Sequence, residues 1–191
     1  IYAYDASVSK KIFMKQLIKS AVRIDNLKIF AHWFKVLLKY RKFFSLSNVH
    51  HIQKFVGLNS KSSQHCTFMD VLNQIESKNI FLKIDIEGSE YRFLHDIVAN
   101  KERITGMVLE LHDVDIHLRE IENFINQLSL DLVHVHANNY APIRADDDLP
   151  LVLELTFSKY SNTSTDYKLP HKLDMPNNNN CSEYEISVNE K

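Results

Sequence analysis

The amino-acid sequence predicts an α/β domain over residues 1–160, built on a mostly parallel sheet with an antiparallel last strand. Two patterns carry this reading. Short apolar, β-branched runs alternate with stretches of helical period, the order that gives parallel strands joined by right-handed crossovers, with helices on both faces. The last two apolar runs, Leu130–His136 and Leu151–Phe157, are separated by a loop without helical pattern, so they pair antiparallel at one edge.

The opening IYAYDAS is β-prone and closes on Asp5 and Ser7 as a short strand. Residues 8–22 set Val8, Ile12, Leu17, Ile18 and Val22 near helical spacing, with lysines between them. In residues 25–44 Leu27, Phe30, Phe34, Leu37 and Leu38 share a helical face. Asp25 caps the start, and basic residues crowd the end, where the helix dipole favours them. This helix is expected to pack on the sheet with a lysine-rich outer side. The alternative lays its lysines, Trp33 and Phe34 on a membrane surface or a partner helix.

Residues 48–58 (NVHHIQKFVGL) read as one strand with Gly57 near its exit, and residues 67–75 as a helix capped by Thr67. Next, Phe81, Leu82 and Ile84 predict a buried strand ending in Asp85. Glu87 and Gly88 make the turn, and Gly88 or Ser89 opens a helix whose Tyr91, Leu94, Ile97 and Val98 face inward. Ile104–Leu111 is another apolar strand, ending in His112 and Asp113. Residues 116–128 form a helix with Ile116, Ile121, Phe124, Ile125 and Leu128 as its core side. Beyond Tyr160 the serines, threonines and four consecutive asparagines predict a disordered tail over 161–191.

Composition narrows the function. The 191 residues are 45% hydrophobic with a net charge of −1, so the bulk balance gives no electrostatic case for a nucleic acid or an anionic membrane as partner. Cys66 and Cys181 lie far apart without zinc-type spacing, so a reducing, cytoplasmic setting is the expectation. No apolar run approaches the roughly 18 to 20 residues of a membrane span, and the start has no signal-peptide pattern. The chain begins in an apolar run rather than with Met, and it holds only Gly57, Gly88 and Gly106 as glycines.

Open sheets of this class bind ligands beyond the carboxyl ends of their strands. Those ends carry Asp5, Asp85 with Glu87, and His112 with Asp113. Strand ends are polar in any case, and Asp85 and Glu87 alternatively cap the following helix. Glu90 suits a first helical turn. Glu110, inside an apolar strand, needs a partner: it lies near the site or pairs with a basic side chain. His134 and His136 point the same way and are either a ligand pair or structural. Asn138, Asn139, Tyr140 and Arg144 line the loop beyond them, and Asp146–Asp148 reads as a solvated turn.

The segment KIDIEGSE (Lys83–Glu90) resembles the hallmark of the FkbM-type methyltransferases, a strand ending in a Lys-Ile-Asp-Val-Glu-Gly-Ala-Glu type of sequence. TFMDVL upstream, ITGMVLELH as the next strand and LVLELTFSK as the closing strand fit the same family. The resemblance covers roughly residues 1–160. It implies a Rossmann-like class I methyltransferase sheet and S-adenosylmethionine-dependent methylation of an oxygen on a sugar, a glycan or a similar small metabolite. It also implies that Asp5 receives the cofactor ribose hydroxyls and that the residues at Gly57 lie against the adenine. The family's first strand and glycine-rich loop have no counterpart in these residues, so they are expected upstream of Ile1.

Within that reading Glu87 is the candidate general base for the acceptor hydroxyl, with Asp85 beside it. Asp85, His112 and Asp113 make an oxygen-rich site for Mg²⁺ or a similar hard cation, as related sugar methyltransferases hold a metal at the ends of the same two strands. Two rival classes remain. One is a truncated, catalytically inactive domain kept as a binding or interaction module. The other, a Rossmann-type oxidoreductase, fits the D-x-E-G turn and the antiparallel last strand less well.

Overall fold

The computed structural model describes residues 1–22, 27–57, 62–161 and 169–186. Strands and helices follow in the order β1 Tyr2–Tyr4, α1 Lys10–Val22, α2 Leu27–Phe43, β2 His50–Ile52, β3 Phe55–Gly57, β4 His65–Thr67, α3 Phe68–Asn73, β5 Ile80–Ile84, α4 Leu94–Ala99, β6 Ile104–Leu111, α5 Val114–Gln127, β7 Asp131–Ala137 and β8 Leu153–Ser158, with strict alternation from α3 to β7. The chain is α/β. It divides into two units, Ile1–Gln74 and Ile75–Lys191, where one domain over residues 1–160 is expected.

In the first unit β1 pairs with β2 and β3 with β4, each parallel. The run 48–58 is not one strand. Lys54 N–H donates to Ile52 O at 2.8 Å, a three-residue turn that separates β2 from β3 and sends them to different partners. Thr67 caps α3 as expected: its hydroxyl accepts from Asp70 N–H while Asp70 accepts from Thr67 N–H, the reciprocal arrangement that satisfies two orphan donors. Hydrogen bonding to the carboxyl by the Thr67 backbone N–H, and then by the Thr67 side chain, holds Asp70 below its usual pKa.

Helices α1 and α2 meet through aromatic contacts, with the Phe13 ring 5.1 Å from Tyr40 and 6.3 Å from Trp33. The face expected to pack inward on α2 is divided. Leu37 is buried, whereas Leu27, Phe34 and Leu38 are exposed. The period of 3.6 explains the division: Trp33, Leu37 and Tyr40 share one side, and Leu27, Ala31, Phe34 and Leu38 form a second stripe beside it. Asp25, expected as the cap, lies outside the described residues.

In the second unit the sheet order is β5-β6-β8-β7. β5 and β6 are parallel, and β8 runs antiparallel to both β6 and β7. The loop between β7 and β8 reverses the chain through Arg144 N–H to Leu149 O at 2.8 Å and an isolated bridge between Ile143 and Pro150. Side chains alternate across a strand, so register decides the two faces. Met107 stands opposite Phe157 and Leu109 opposite Leu155, and all four are buried on the apolar face. Phe124 of α5 covers that face, its ring edge-on to Phe157 at 6.1 Å. The other face carries Glu110 opposite Glu154, and Glu154 opposite His136.

Three expectations are corrected here. Phe81 is 64% exposed, because Ile80 and Leu82 are the inward pair of β5. Its ring instead spreads over its register partner Gly106, where an added Cβ would come within 2.8 Å of it. Ile116 is exposed because α5 begins at Val114, and Val114, Ile121 and Phe124 form its buried side. The turn after Gly88 is a short 3-10 segment, Glu90–Arg92, and the α-helix starts only at Leu94.

Residues 169–186, expected within a disordered tail, lie against the polar face of the sheet. His134 Nε2 is 2.9 Å from Asp174, His136 Nε2 is 3.2 Å from Glu183, and Asn177 donates to Glu154 at 2.8 Å. Asn139 is buried and donates to the carbonyls of Asn178, Cys181 and Ser182, while Tyr184 O–H donates to Ala141 O. A segment poor in apolar residues is held here by amides matched to polar groups rather than by apolar burial. Among the described residues no helix is long and apolar enough to cross a membrane.

Candidate functional site

Two adjacent parallel strands end side by side, and their ends build the site. β5 stops at Ile84 and hands the chain to Asp85, Ile86, Glu87 and Gly88. Glu87 (φ 55°) and Gly88 (φ 89°) are both left-handed, the conformation that folds so tight a turn. At Gly88 the positive φ alone asks for glycine, since an added Cβ would sit an ordinary 3.8 Å from Asp113 Oδ2. Asp113 is itself left-handed, at φ 51°, where β6 gives way to α5. Non-glycine residues held at positive φ on both sides of one cleft are the kind of local strain that clusters at binding sites.

Glu90 organises the turn. Its side chain is fully buried, and Oε1 accepts from Ile86 N–H and Gly88 N–H, both at 3.1 Å. His112 Nδ1 lies 3.1 Å from the same oxygen. An oxygen already accepting two backbone N–H groups takes a third as acceptor, so the imidazole donates to it through Nδ1, which leaves its second nitrogen, Nε2, for other partners. That nitrogen faces Glu87 Oε2 at 3.5 Å and Glu110 Oε1 at 3.9 Å. The neighbouring Tyr91 fixes the backbone of the same residue: its O–H donates to His112 O, and its ring stacks on His117 at 3.6 Å. Burial, and then the charge of Glu90, push the Tyr91 phenol far above its ordinary pKa, so it stays a donor.

Asp85, Glu110 and His112 offer one ligand atom each within 4.8 Å of one another. Burial raises the Glu110 pKa, with Asp85 and Glu154 adding to the rise, against the Asn138 hydrogen bond and His112. Asn138 Nδ2 donates to Glu110 at 2.9 Å, so the loop after β7 reaches this group. The donor set fits a hard divalent cation: two carboxylates, one imidazole nitrogen, and a buried carboxyl orienting that imidazole through its far N–H. Glu90 Oε2, buried and without a hydrogen-bond partner among the described residues, marks a polar demand the chain leaves unmet beside this set.

The expected set of Asp85, His112 and Asp113 is thus rearranged. Asp85 and His112 come together, but the third member is Glu110. The reason is the period of two: residues 110 and 112 share a side of the β6 line, whereas 113 falls on the other. Glu87 lies on the exposed rim, its side chain 88% accessible and aimed at His112. Lys83 Nζ sits 3.4 Å from Asp85 Oδ2. Glu90 is the residue whose importance composition hid, since a carboxylate in a first helical turn is unremarkable; only its burial sets it apart.

Asp5 ends β1 as expected. Its Oδ1 accepts from Ser7 N–H at 2.7 Å, Ser7 O–H at 2.6 Å and Val8 N–H at 3.1 Å. One oxygen is therefore spent on the local turn, and among the described residues only Oδ2 is left for a hydroxyl, where a vicinal diol would take both. Gly57 ends β3, where an added Cβ would meet His65 at an ordinary 3.7 Å, so no crowding demands glycine. Of the loop beyond β7, Asn138 reaches the site, Asn139 holds the 169–186 segment, and Arg144 forms a two-pronged pair with Asp147. His134 and His136 are partnered by Asp174 and Glu183. Compared with known proteins, the chain matches no family model, no curated protein and no solved structure.

Proposed function

We propose that the chain is an S-adenosylmethionine-dependent O-methyltransferase of Rossmann-like architecture, acting on a hydroxyl of a sugar, a glycan or a similar small metabolite. The observation that carries the reading is the convergence of Asp85, Glu87, Glu110 and His112 at the carboxyl ends of two adjacent parallel strands. The antiparallel β8, lying between β6 and β7, supports it further, as does the resemblance of Lys83–Glu90 to the FkbM-type motif.

In this reading Asp5 and Gly57 are the residues that meet the cofactor. S-adenosylmethionine supplies an electrophilic sulfonium methyl when bound. Glu87, exposed at the strand ends, accepts the proton of the acceptor hydroxyl. Asp85, Glu110 and His112 would hold a Mg²⁺-like ion, whose contribution there is to acidify a hydroxyl oxygen. Glu90 and Tyr91 keep His112 in the orientation that ligand role needs.

Methyl transfer from labelled S-adenosylmethionine to a panel of sugar hydroxyls tests the proposal. The Glu87→Gln variant is expected to lower kcat by about 10²-fold or more while leaving S-adenosylhomocysteine binding unchanged. Equal rates in the variant and the parent contradict the role of Glu87. A second reading, a methyltransferase-like domain that binds without catalysis, is favoured by one observation: the local capture of Asp5 Oδ1. Cofactor binding with no transfer to any acceptor would support it.

A further inference from the structure

The α1–α2 pair carries a feature that methyl transfer does not use. Leu27 is 81% exposed, and Phe34 and Leu38 are close to half exposed. With Ala31 they follow the i, i+4, i+7, i+11 spacing of a single stripe along α2. On α1, Ile18 is also exposed, at 59%. Large apolar side chains left outward along a helix mark a surface that meets something other than water.

Charge says what. Helix α1 carries four lysines and α2 five basic residues, and neither contains Asp or Glu. The whole chain has a net charge of −1, so positive charge is concentrated on these two helices and the remainder is acidic. Lys28, Lys35, Lys39 and Lys42 line one flank of the stripe by helical spacing, with Arg41 on the other. A second copy of the same face would bring like charges together, which argues against self-association through it. The stripe is also a ridge of projecting side chains on a convex helix. A fluid interface accepts such a ridge without a complementary groove.

We infer that the α1–α2 face is an interfacial docking surface for an anionic phospholipid membrane, with Leu27, Phe34 and Leu38 entering the headgroup boundary and the flanking lysines meeting lipid phosphates. This is the composition of helices that lie in the interface plane: apolar and aromatic residues on one side, lysines beside them. No helix crosses the bilayer in this arrangement. Each basic residue near an anionic surface is worth about fivefold in affinity, and salt screens the effect.

Co-sedimentation of the full chain with vesicles tests the inference, using mixed phosphatidylserine and phosphatidylcholine against phosphatidylcholine alone. Binding is expected to the anionic vesicles only, falling as salt is raised. The double variant Phe34→Glu, Leu38→Glu should abolish it. The double variant Lys35→Glu, Lys39→Glu, which leaves the apolar stripe intact, should weaken it by about thirtyfold or more. Circular dichroism establishes that each variant keeps the helical content of the parent; both substitute exposed positions, and either alone suffices if the other misfolds. No sedimentation with anionic vesicles at low salt overturns the inference, even if an acidic protein partner is found. Equal binding to both vesicle types, or binding indifferent to both variants, overturns it too. A dimer that dissociates on Phe34→Glu, Leu38→Glu without any vesicle binding would assign the face to a second copy instead.

Discussion

Replacing Glu90 with alanine is expected to remove about 3 kcal/mol of stability and to weaken Mn²⁺ binding by about tenfold or more. Both effects come from one oxygen. Oε1 accepts from the N–H groups of Ile86 and Gly88 in a partly buried turn and lies 3.1 Å from His112 Nδ1. Alanine leaves both donors without that partner, each costing about 1–3 kcal/mol where water does not replace it, and frees the imidazole to rotate. Glu90→Gln separates the two effects. Its amide oxygen still accepts from the backbone, so the stability loss shrinks, while a neutral acceptor holds the imidazole less firmly. Urea unfolding and Mn²⁺ titration read the two quantities independently. A loss below about 1 kcal/mol in the alanine variant would mean that the turn stands without Glu90.

Phe157→Ala should cost about 4 kcal/mol, in the range for an aromatic side chain removed from a closed core. Phe157 is fully buried on β8, paired in register with Met107 and in edge contact with Phe124. The prediction probes the topology as well as the packing. β8 bonds to β6 on one side and β7 on the other, so the cavity opens at the centre of the second unit's sheet. A loss under about 2 kcal/mol in urea unfolding would place β8 nearer an edge.

Much of the second unit was legible in the sequence because its signals are local. The apolar runs 80–84, 104–111 and 153–158 are strands, and the helix-free loop before the last of them announces its antiparallel course. Thr67 and Asp70 form a capping box readable from their spacing alone. Other features depend on partners that no local pattern reveals. The split of residues 48–58 turns on one three-residue hydrogen bond, and the exposure of Phe81 on which of two alternating sets faces inward. The two apolar stripes of α2 overlap in a helical projection, so one inward face was expected where only Leu37 is buried.

In the site the strand ends were found, but the third member of the Asp85–His112 group was misjudged as Asp113. Counting in twos from His112 leads to Glu110 instead. Glu90 was visible as a motif residue, yet nothing in composition distinguishes a helix-turn carboxylate on the surface from a buried one. The asparagine-rich segment 169–186 was set aside for want of apolar residues. Its bonds to His134, His136, Asn139 and Glu154 require a polar sheet face to exist first.

The central claim is a cofactor site of the S-adenosylmethionine class, and calorimetric titration of the protein with S-adenosylhomocysteine tests it most directly. The account predicts saturable, micromolar binding that weakens when Asp5 is replaced by alanine. Absence of binding at any attainable ligand concentration would contradict it, and would leave the Asp85–Glu110–His112 group to a different chemistry.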